Sequence, residues 1–202
     1  MKILKYILYA LLALVILFFL VGLLKPTVSY SSEITVDKPV QEAWAVAKDE
    51  SKLGEWLKGF KSIELIEGNQ GEVGSKYKVI VSPGDGQEDF EMIETIASLQ
   101  EFDHIEMHFD SDFMDMTQRI THTESDGKTT INAVSKVNGK GLMSKSMFAL
   151  MEMLGGSFTK QDNENFNALK TLINQNKTDY YPVPVEEILE ASMEAVRGER
   201  KK

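Results

Sequence analysis

His104, Glu106 and His108 alternate along a strand-like run, so two imidazoles and a carboxylate would share one face of it. Zinc needs three or four convergent ligands, and the plainer reading of this trio is a solvated sheet face with cross-strand charge pairs. That reading sets His108 opposite Asp115 and Glu106 near Arg119. Asp110, Asp112 and Asp115 crowd a turn but lack the glycine and closing glutamate of a calcium loop. Glu91 and Glu94 sit on another strand whose inward parity the pattern leaves open, so either could be a buried acid able to move a proton. Ser144-Lys145-Ser146 has no histidine nearby in sequence, and neither Gly-x-Ser-x-Gly nor Ser-x-x-Lys with its partner motifs occurs. Gly84-Asp85-Gly86 is a turn, too short to cradle a phosphate. The chain has no cysteine, which removes disulfides, thiolate metal sites, iron-sulfur clusters and thiol nucleophiles. No residue is therefore assigned a catalytic or metal-binding role, and no cofactor is expected.

The more informative pattern is apolar. With Ser111-Asp112 as a two-residue turn, Met107 falls opposite Met116 and Phe109 opposite Met114. With Asp126-Gly127 as the next turn, Ile120 meets Ala133 and Met116 meets Val137 on the same side. One wall of the sheet then holds Ile105, Met107, Phe109, Met114, Met116, Ile120, Ile131, Ala133 and Val137. Eight of the ten methionines lie between Met92 and Met153, and Met143, Met147 and Met151 fall on a helix expected to face this wall. Methionine is flexible and polarizable, so such a wall suits either a packed core or an adaptable apolar pocket. Gln118, His122 and Ser135 share the face; they could hold a ligand's polar head or hydrogen-bond one another, Gln118 across from Ser135. The candidate ligand-binding set is Met107, Phe109, Met114, Met116, Gln118, Ile120, His122, Ala133, Ser135, Met147 and Met151.

The elements that must position these residues are readable in order. Val28, Tyr30, Ser32, Ile34 and Val36 alternate along a first strand. Asp37-Lys38-Pro39 ends it and starts a helix, with Asp37 as the expected cap and Val40, Ala43, Trp44 and Ala47 as the packing stripe. A second short helix runs from Asp49 to about Leu57. Six strands follow: Ser62–Ile66, Ser75–Ser82, Asp89 to about Ser98, His104–Asp110, Met114–Thr123 and Thr129–Asn138. The short breaks between them are rich in turn formers, which joins antiparallel neighbours. A helical region from Leu142 to Met153, interrupted at Gly155-Gly156, resumes from about Phe158 to Asn174 and should lie across the sheet.

The stretch ITVDKPVQEAWAVAKDESKLGEWLKGFKSIELIEG, with Ile34, Pro39, Trp44, Asp49, Trp56 and Ile63 to Ile66 in that order, resembles the opening of the SRPBCC superfamily. This is the START-like or polyketide cyclase/dehydrase group. FTKQDNENFNALKTLINQ looks like the closing helix of that superfamily. The resemblance covers roughly residues 27 to 176 and implies an α+β helix-grip fold: a curved antiparallel sheet of about seven strands wrapped around a long carboxy-terminal helix. It also implies a cavity between sheet and helix for lipids or other apolar molecules. It implies no particular reaction, since its members include carriers, receptors and cyclases.

Composition divides the chain. Of the first 25 residues, 21 are hydrophobic, and Lys2, Lys5 and Lys25 carry the only charges. The uncharged run from Tyr6 to Leu24 is about 28 Å long as a helix, close to a bilayer's hydrocarbon core of roughly 30 Å. It is longer than a signal peptide's apolar region and lacks a small-x-small cleavage site, so residues 1–25 are expected to be a retained transmembrane anchor. Lys2 and Lys5 put the amino terminus in the cytoplasm and the domain on the extracytoplasmic side. Taking the three lysine charges off the total of -9 leaves -12 on the remainder, which disfavours nucleic acid as a partner. The expected domain spans residues 26–178, followed by a tail, 179–202, with a short amphipathic helix near Val185 to Val196. The expected function is binding of a hydrophobic small molecule or lipid at a membrane. The alternatives are a cyclase- or hydratase-like enzyme on a hydrophobic substrate and an interaction module with a filled core.

Overall fold

Val28, Ser32, Ile34 and Val36 are buried and Tyr30 is half-buried, while Ser29, Ser31, Glu33 and Thr35 are exposed, so the alternation read from the sequence is the pleat of β1 (Thr27–Val36). The computed structural model describes residues 2–84 and 88–182. Ahead of β1 stands an apolar helix, α1 (Lys2–Leu24); after it come α2 (Val40–Lys48), a 3-10 turn (Glu50–Lys52) and the one-turn α3 (Leu53–Trp56). Then follow β2 (Phe60–Glu67), β3 (Lys76–Val81), β4 (Phe90–Gln100), β5 (His104–Asp110), β6 (Met114–Ser125), β7 (Lys128–Gly139), α4 (Leu142–Gly155) and α5 (Ser157–Gln175). The seven strands form one antiparallel sheet in the order β1-β7-β6-β5-β4-β3-β2. Consecutive strands from β2 to β7 are neighbours, as short turns require. The helical link from β1 to β2 carries the chain from one edge of the sheet to the other. Register shifts in β2 and at Ile96/Ser98 of β4 add the bends that let the sheet curve. The long α5 lies across the concave side: this is the helix-grip fold.

Phe166, Leu169 and Ile173 recur at helical spacing on α5 and are all at most 2% exposed. They pack with Ile34, Val36, Ile120, Ile131, Ala133 and Trp56 into the main core. Each such side chain contributes about 1.5–3 kcal/mol on burial, so this stripe fixes the helix on the sheet. Gly156 breaks α4 from α5 with a left-handed φ of 59°, a conformation glycine adopts without steric cost. Glu152 then turns back to cap the new helix, accepting from the backbone N–H of Phe158 at 2.9 Å. The chain after α5 stays on the domain: the Tyr180 hydroxyl donates to Asp49 at 2.6 Å, and Asn176 is buried beside α2. The expected helix near Val185 to Val196 lies outside the described residues.

Three local expectations are corrected. Asp37 does not cap α2; it pairs with Lys128 at 2.7 Å, and Glu124 reaches from β6 to accept the Val40 N–H at 2.8 Å instead. The β5–β6 hairpin turns on Asp112-Phe113, because Ser111 still bonds to Met114 across it. Met107 therefore faces Gln118, Phe109 faces Met116, and His108 faces Thr117 rather than Asp115. The shift is two residues, so every side chain keeps its face. Met143, expected to face the sheet, is 62% exposed and points away from it. The β6–β7 register is as expected, with Ile120 opposite Ala133 and Gln118 opposite Ser135.

Candidate functional site: a methionine-lined cavity

Between the sheet and the helices lies a cavity of about 1160 Å³. That exceeds the span of roughly 300–1,000 Å³ usual for small-ligand pockets. The space read from the sequence as either core or pocket thus contains a cavity. Met107, Phe109, Met114, Met116, Gln118, Ile120 and His122 line it from β5 and β6, and Met147 and Met151 from α4. Ala133 and Ser135 do not. Ala133 is fully covered within the main core, and Ser135 lies behind Gln118, whose amide donates to its hydroxyl at 3.0 Å. The two polar residues thus bond each other, while Gln118 keeps contact with the cavity. Met92, Phe90, Phe113, Phe148 and Phe158 complete the wall toward α4, with Phe148 and Phe158 edge-to-face at 5.5 Å.

A few titratable groups interrupt this lining. Glu94 stands on β4 between the inward Met92 and Ile96, and burial, with a smaller contribution from the Glu50 charge, pushes its carboxyl up to about 7. Glu91 has the opposite parity and pairs on the outer face with Lys78 at 3.8 Å. Asp162 on α5 is buried, its Oδ2 has no hydrogen-bond partner, and burial raises its pKa against the opposing effect of a Ser32 hydrogen bond. Tyr30 lies near Asp162, stacked on Phe158 at 5.7 Å; burial and then the Asp162 charge raise its phenol. His122 packs against Trp44 with ring centroids 4.9 Å apart, has no partner at either nitrogen, and is held down to about 4 by burial. It is therefore a neutral ring near neutral pH. Trp56 adds an indole N–H that is also unpartnered.

The ligand-binding set read from the sequence did not include Asp162, Tyr30 or Trp56, and Glu94 entered only beside Glu91 as a possible buried acid. The signal for Asp162 was present: it stands four residues after Phe158 and four before Phe166, an acid within the apolar stripe of α5. Glu94 had no equally clear signal, since Met92 and Ile93 are both apolar and the strand reads as inward in either parity.

The chemistry first weighed for the sheet's other face does not assemble there. Glu106 pairs with Arg119 at 2.9 Å, and His104 is held between Asp103 at 2.6 Å and Ser98 at 2.9 Å. Lys140 bridges Asp110 and Asp115 at the hairpin, and holds the Asp110 carboxyl below its usual range. Among the described residues, no three His, Asp or Glu converge on a point that could hold a metal ion.

The profile of the family described as polyketide cyclase/dehydrase and lipid transport matches residues 27–169. The chain belongs to that family. Among solved structures, this family member is similar to the Zhui aromatase/cyclase from Streptomyces sp. R1128, with a TM-score of 0.59 and 14% identity over 78% of this chain and 99% of that one. A conserved protein from Geobacillus kaustophilus aligns with a TM-score of 0.58 and 21% identity, over 72% of this chain and 95% of that one. The norcoclaurine synthase from Thalictrum flavum aligns with a TM-score of 0.53 and 14% identity, over 75% and 96%. At these identities the likeness is one of fold. None of the curated proteins matches by sequence.

Proposed function

We propose that this family member is a membrane-anchored binding domain for a lipid or another amphipathic hydrophobic molecule. The cavity carries the reading: about 1160 Å³ lined by methionine and aromatic side chains, with a small number of polar groups spaced along it. Such a lining accommodates a flexible apolar chain through dispersion and desolvation, while isolated polar groups orient its head. Glu94 in its protonated form, the Gln118 amide, the neutral His122 ring and the Trp56 indole N–H are donors available for that head. The apolar α1, with mean hydropathy 3.1 over its most apolar 18-residue window, supports the anchor. Lys2 and Lys5 favour a cytoplasmic amino terminus, with the domain outside. A tethered domain meets membrane-partitioned ligands at high effective concentration. The test is to purify the chain from mild detergent, extract it with solvent and identify co-purifying lipid by mass spectrometry, with displacement of a fluorescent fatty-acid probe as a second readout. A chain that comes through empty and leaves the probe unbound refutes the reading.

A second reading has its own observation. Glu94 is an acid facing the cavity with a pKa near neutrality, the condition for a general acid or base acting on a hydrophobic substrate in a cyclisation or dehydration. Turnover that is lost in Glu94→Gln while ligand binding persists would favour this enzyme over the carrier.

A further inference from the structure

α1 does not stand free of the domain. Its covered residues are Phe18, Phe19, Val21 and Gly22 in its last turns, and the element packed against it is α4. Gly22 is buried against Ser146: a β-carbon there would sit 2.6 Å from the Ser146 backbone nitrogen, so the two helices meet as closely as backbones allow. At 1.5 Å per residue, Phe18 to Gly22 lie about 3–9 Å along the axis from the end of α1. Helices lying in a membrane interface sit about 5–10 Å into the headgroup and acyl boundary. A bilayer spanned by α1 would therefore meet α4 at interfacial depth.

The outward face of α4 is suited to that level. Met143, Met147, Met151 and Leu154 are 62%, 42%, 43% and 83% exposed. At 100° per residue they fall within an arc of about 80°. The charged residues of this helix, Lys145 and Glu152, lie on the opposite side, and Glu152 is turned in to cap α5. Met147 and Met151 also line the cavity, so the exposed stripe and the interior share two side chains.

We propose that α4 lies in the membrane interface on the domain's side, with this stripe among the lipid chains and Met147 and Met151 forming a mouth through which the ligand passes from bilayer to cavity. The inference rests on the reading of α1 as a retained anchor and adds the docked helix and the route of entry. The chain lacks cysteine, so Met143→Cys, Met147→Cys, Met151→Cys and Leu154→Cys each give one site for an environment-sensitive fluorophore. Labelled full-length chains are placed in phosphatidylcholine vesicles containing phosphatidylcholine spin-labelled near the head of its acyl chain. Lys160→Cys on the exposed side of α5 and Leu11→Cys within α1 are the references. Quenching at the four α4 positions should exceed that at Lys160→Cys by at least about twofold, as expected for residues at interfacial depth. Strong quenching at Leu11→Cys, with the α4 positions no more quenched than Lys160→Cys, overturns the docked helix but leaves the anchor. Absence of quenching at Leu11→Cys as well overturns both. Shielding of the α4 sites from the spin label, together with disulfide formation between copies when the same variants are left unlabelled and treated with a mild oxidant, would make the stripe a self-association face and also refute the proposal.

Discussion

Replacing Glu94 by Gln removes a carboxyl that folding places in an apolar cavity and substitutes a neutral group of the same shape. The ordinary Glu value of 4.5 rises to about 7 in the fold, with burial as the main cause. Between those values the folded chain holds a proton that the unfolded chain has released, so stability falls as pH rises through the window. Each pH unit costs about 1.4 kcal/mol, which puts the full loss near 3 kcal/mol as an upper bound. Below about pH 4 both states are protonated and the term vanishes. Glu94→Gln should therefore match the parent at about pH 4 and exceed it by up to about 3 kcal/mol at about pH 8. For a domain of this size that corresponds to roughly 6–12 °C in Tm. The assay is thermal and urea unfolding of both full-length proteins in the same mild detergent, followed by fluorescence of Trp44 and Trp56, which are both buried in the domain. A gain of the same size at both pH values would show that the substitution improves packing and that the carboxyl is not destabilised by ionisation. No gain at about pH 8 would mean that the Glu94 charge is solvated or paired in solution, which would refute the account of the cavity's interior.

Other perturbations have defined outcomes. His122 is held down to about 4 from 6.5 by burial, so the parent should lose up to about 3 kcal/mol as pH falls through that window, and His122→Phe should flatten the loss in urea titrations. Leu169→Ala opens a cavity beneath α5 at a residue only 1% exposed and should cost about 2–5 kcal/mol by equilibrium unfolding. Met116→Trp adds bulk to the wall facing Phe109 and should weaken binding of a long-chain fluorescent probe by about tenfold, with at most about 1–3 kcal/mol lost from stability.

The sheet was legible because its signal is repeated. In β6 and β7 the parity of Ile120, His122, Ile131, Ala133 and Val137 is written into alternating residues, and Asp126-Gly127 fixes their register. The neighbouring hairpin was less well specified: Ser111, Asp112 and Phe113 offer two adjacent turns, and the one that forms keeps Ser111 bonded to Met114. Because the alternatives differ by two residues, the lining of the cavity survived the error. What stayed illegible depends on distant partners. Glu124 caps α2 from 84 residues away, and no local pattern separates it from Asp37, which stands at the expected position. Met143 turns outward while Ser146, on another side of α4, packs against Gly22 of α1, a tertiary fact that the spacing of methionines does not encode. Openness was illegible for a related reason: the same methionines fill a core or line a cavity, and the distance between sheet and helix decides which.

The charge inside the cavity constrains the ligand's head more narrowly than the apolar lining does. Tyr30, Glu94 and Asp162 are acids whose pKa values rise on burial, and the lysines that touch the cavity, Lys48, Lys58 and Lys61, are all exposed at its rim. A carboxylate brought deep inside would meet no cation and would push Glu94 further toward its protonated form, so a fatty-acid anion is expected to keep its head at the lysine rim. An uncharged hydroxyl or ester head loses less on desolvation and can accept a hydrogen bond from protonated Glu94. Affinity for an ester-headed long-chain probe, which can accept but not donate, should then fall as pH rises above about 7, because ionised Glu94 no longer donates. Glu94→Gln retains a donor at that position and should abolish the pH dependence without abolishing binding. Calorimetric titration of the probe over about pH 5–9 measures both curves. An affinity that rises with pH in the parent would mean that the head donates to ionised Glu94 instead of accepting from its protonated form, which would refute this placement of the ester.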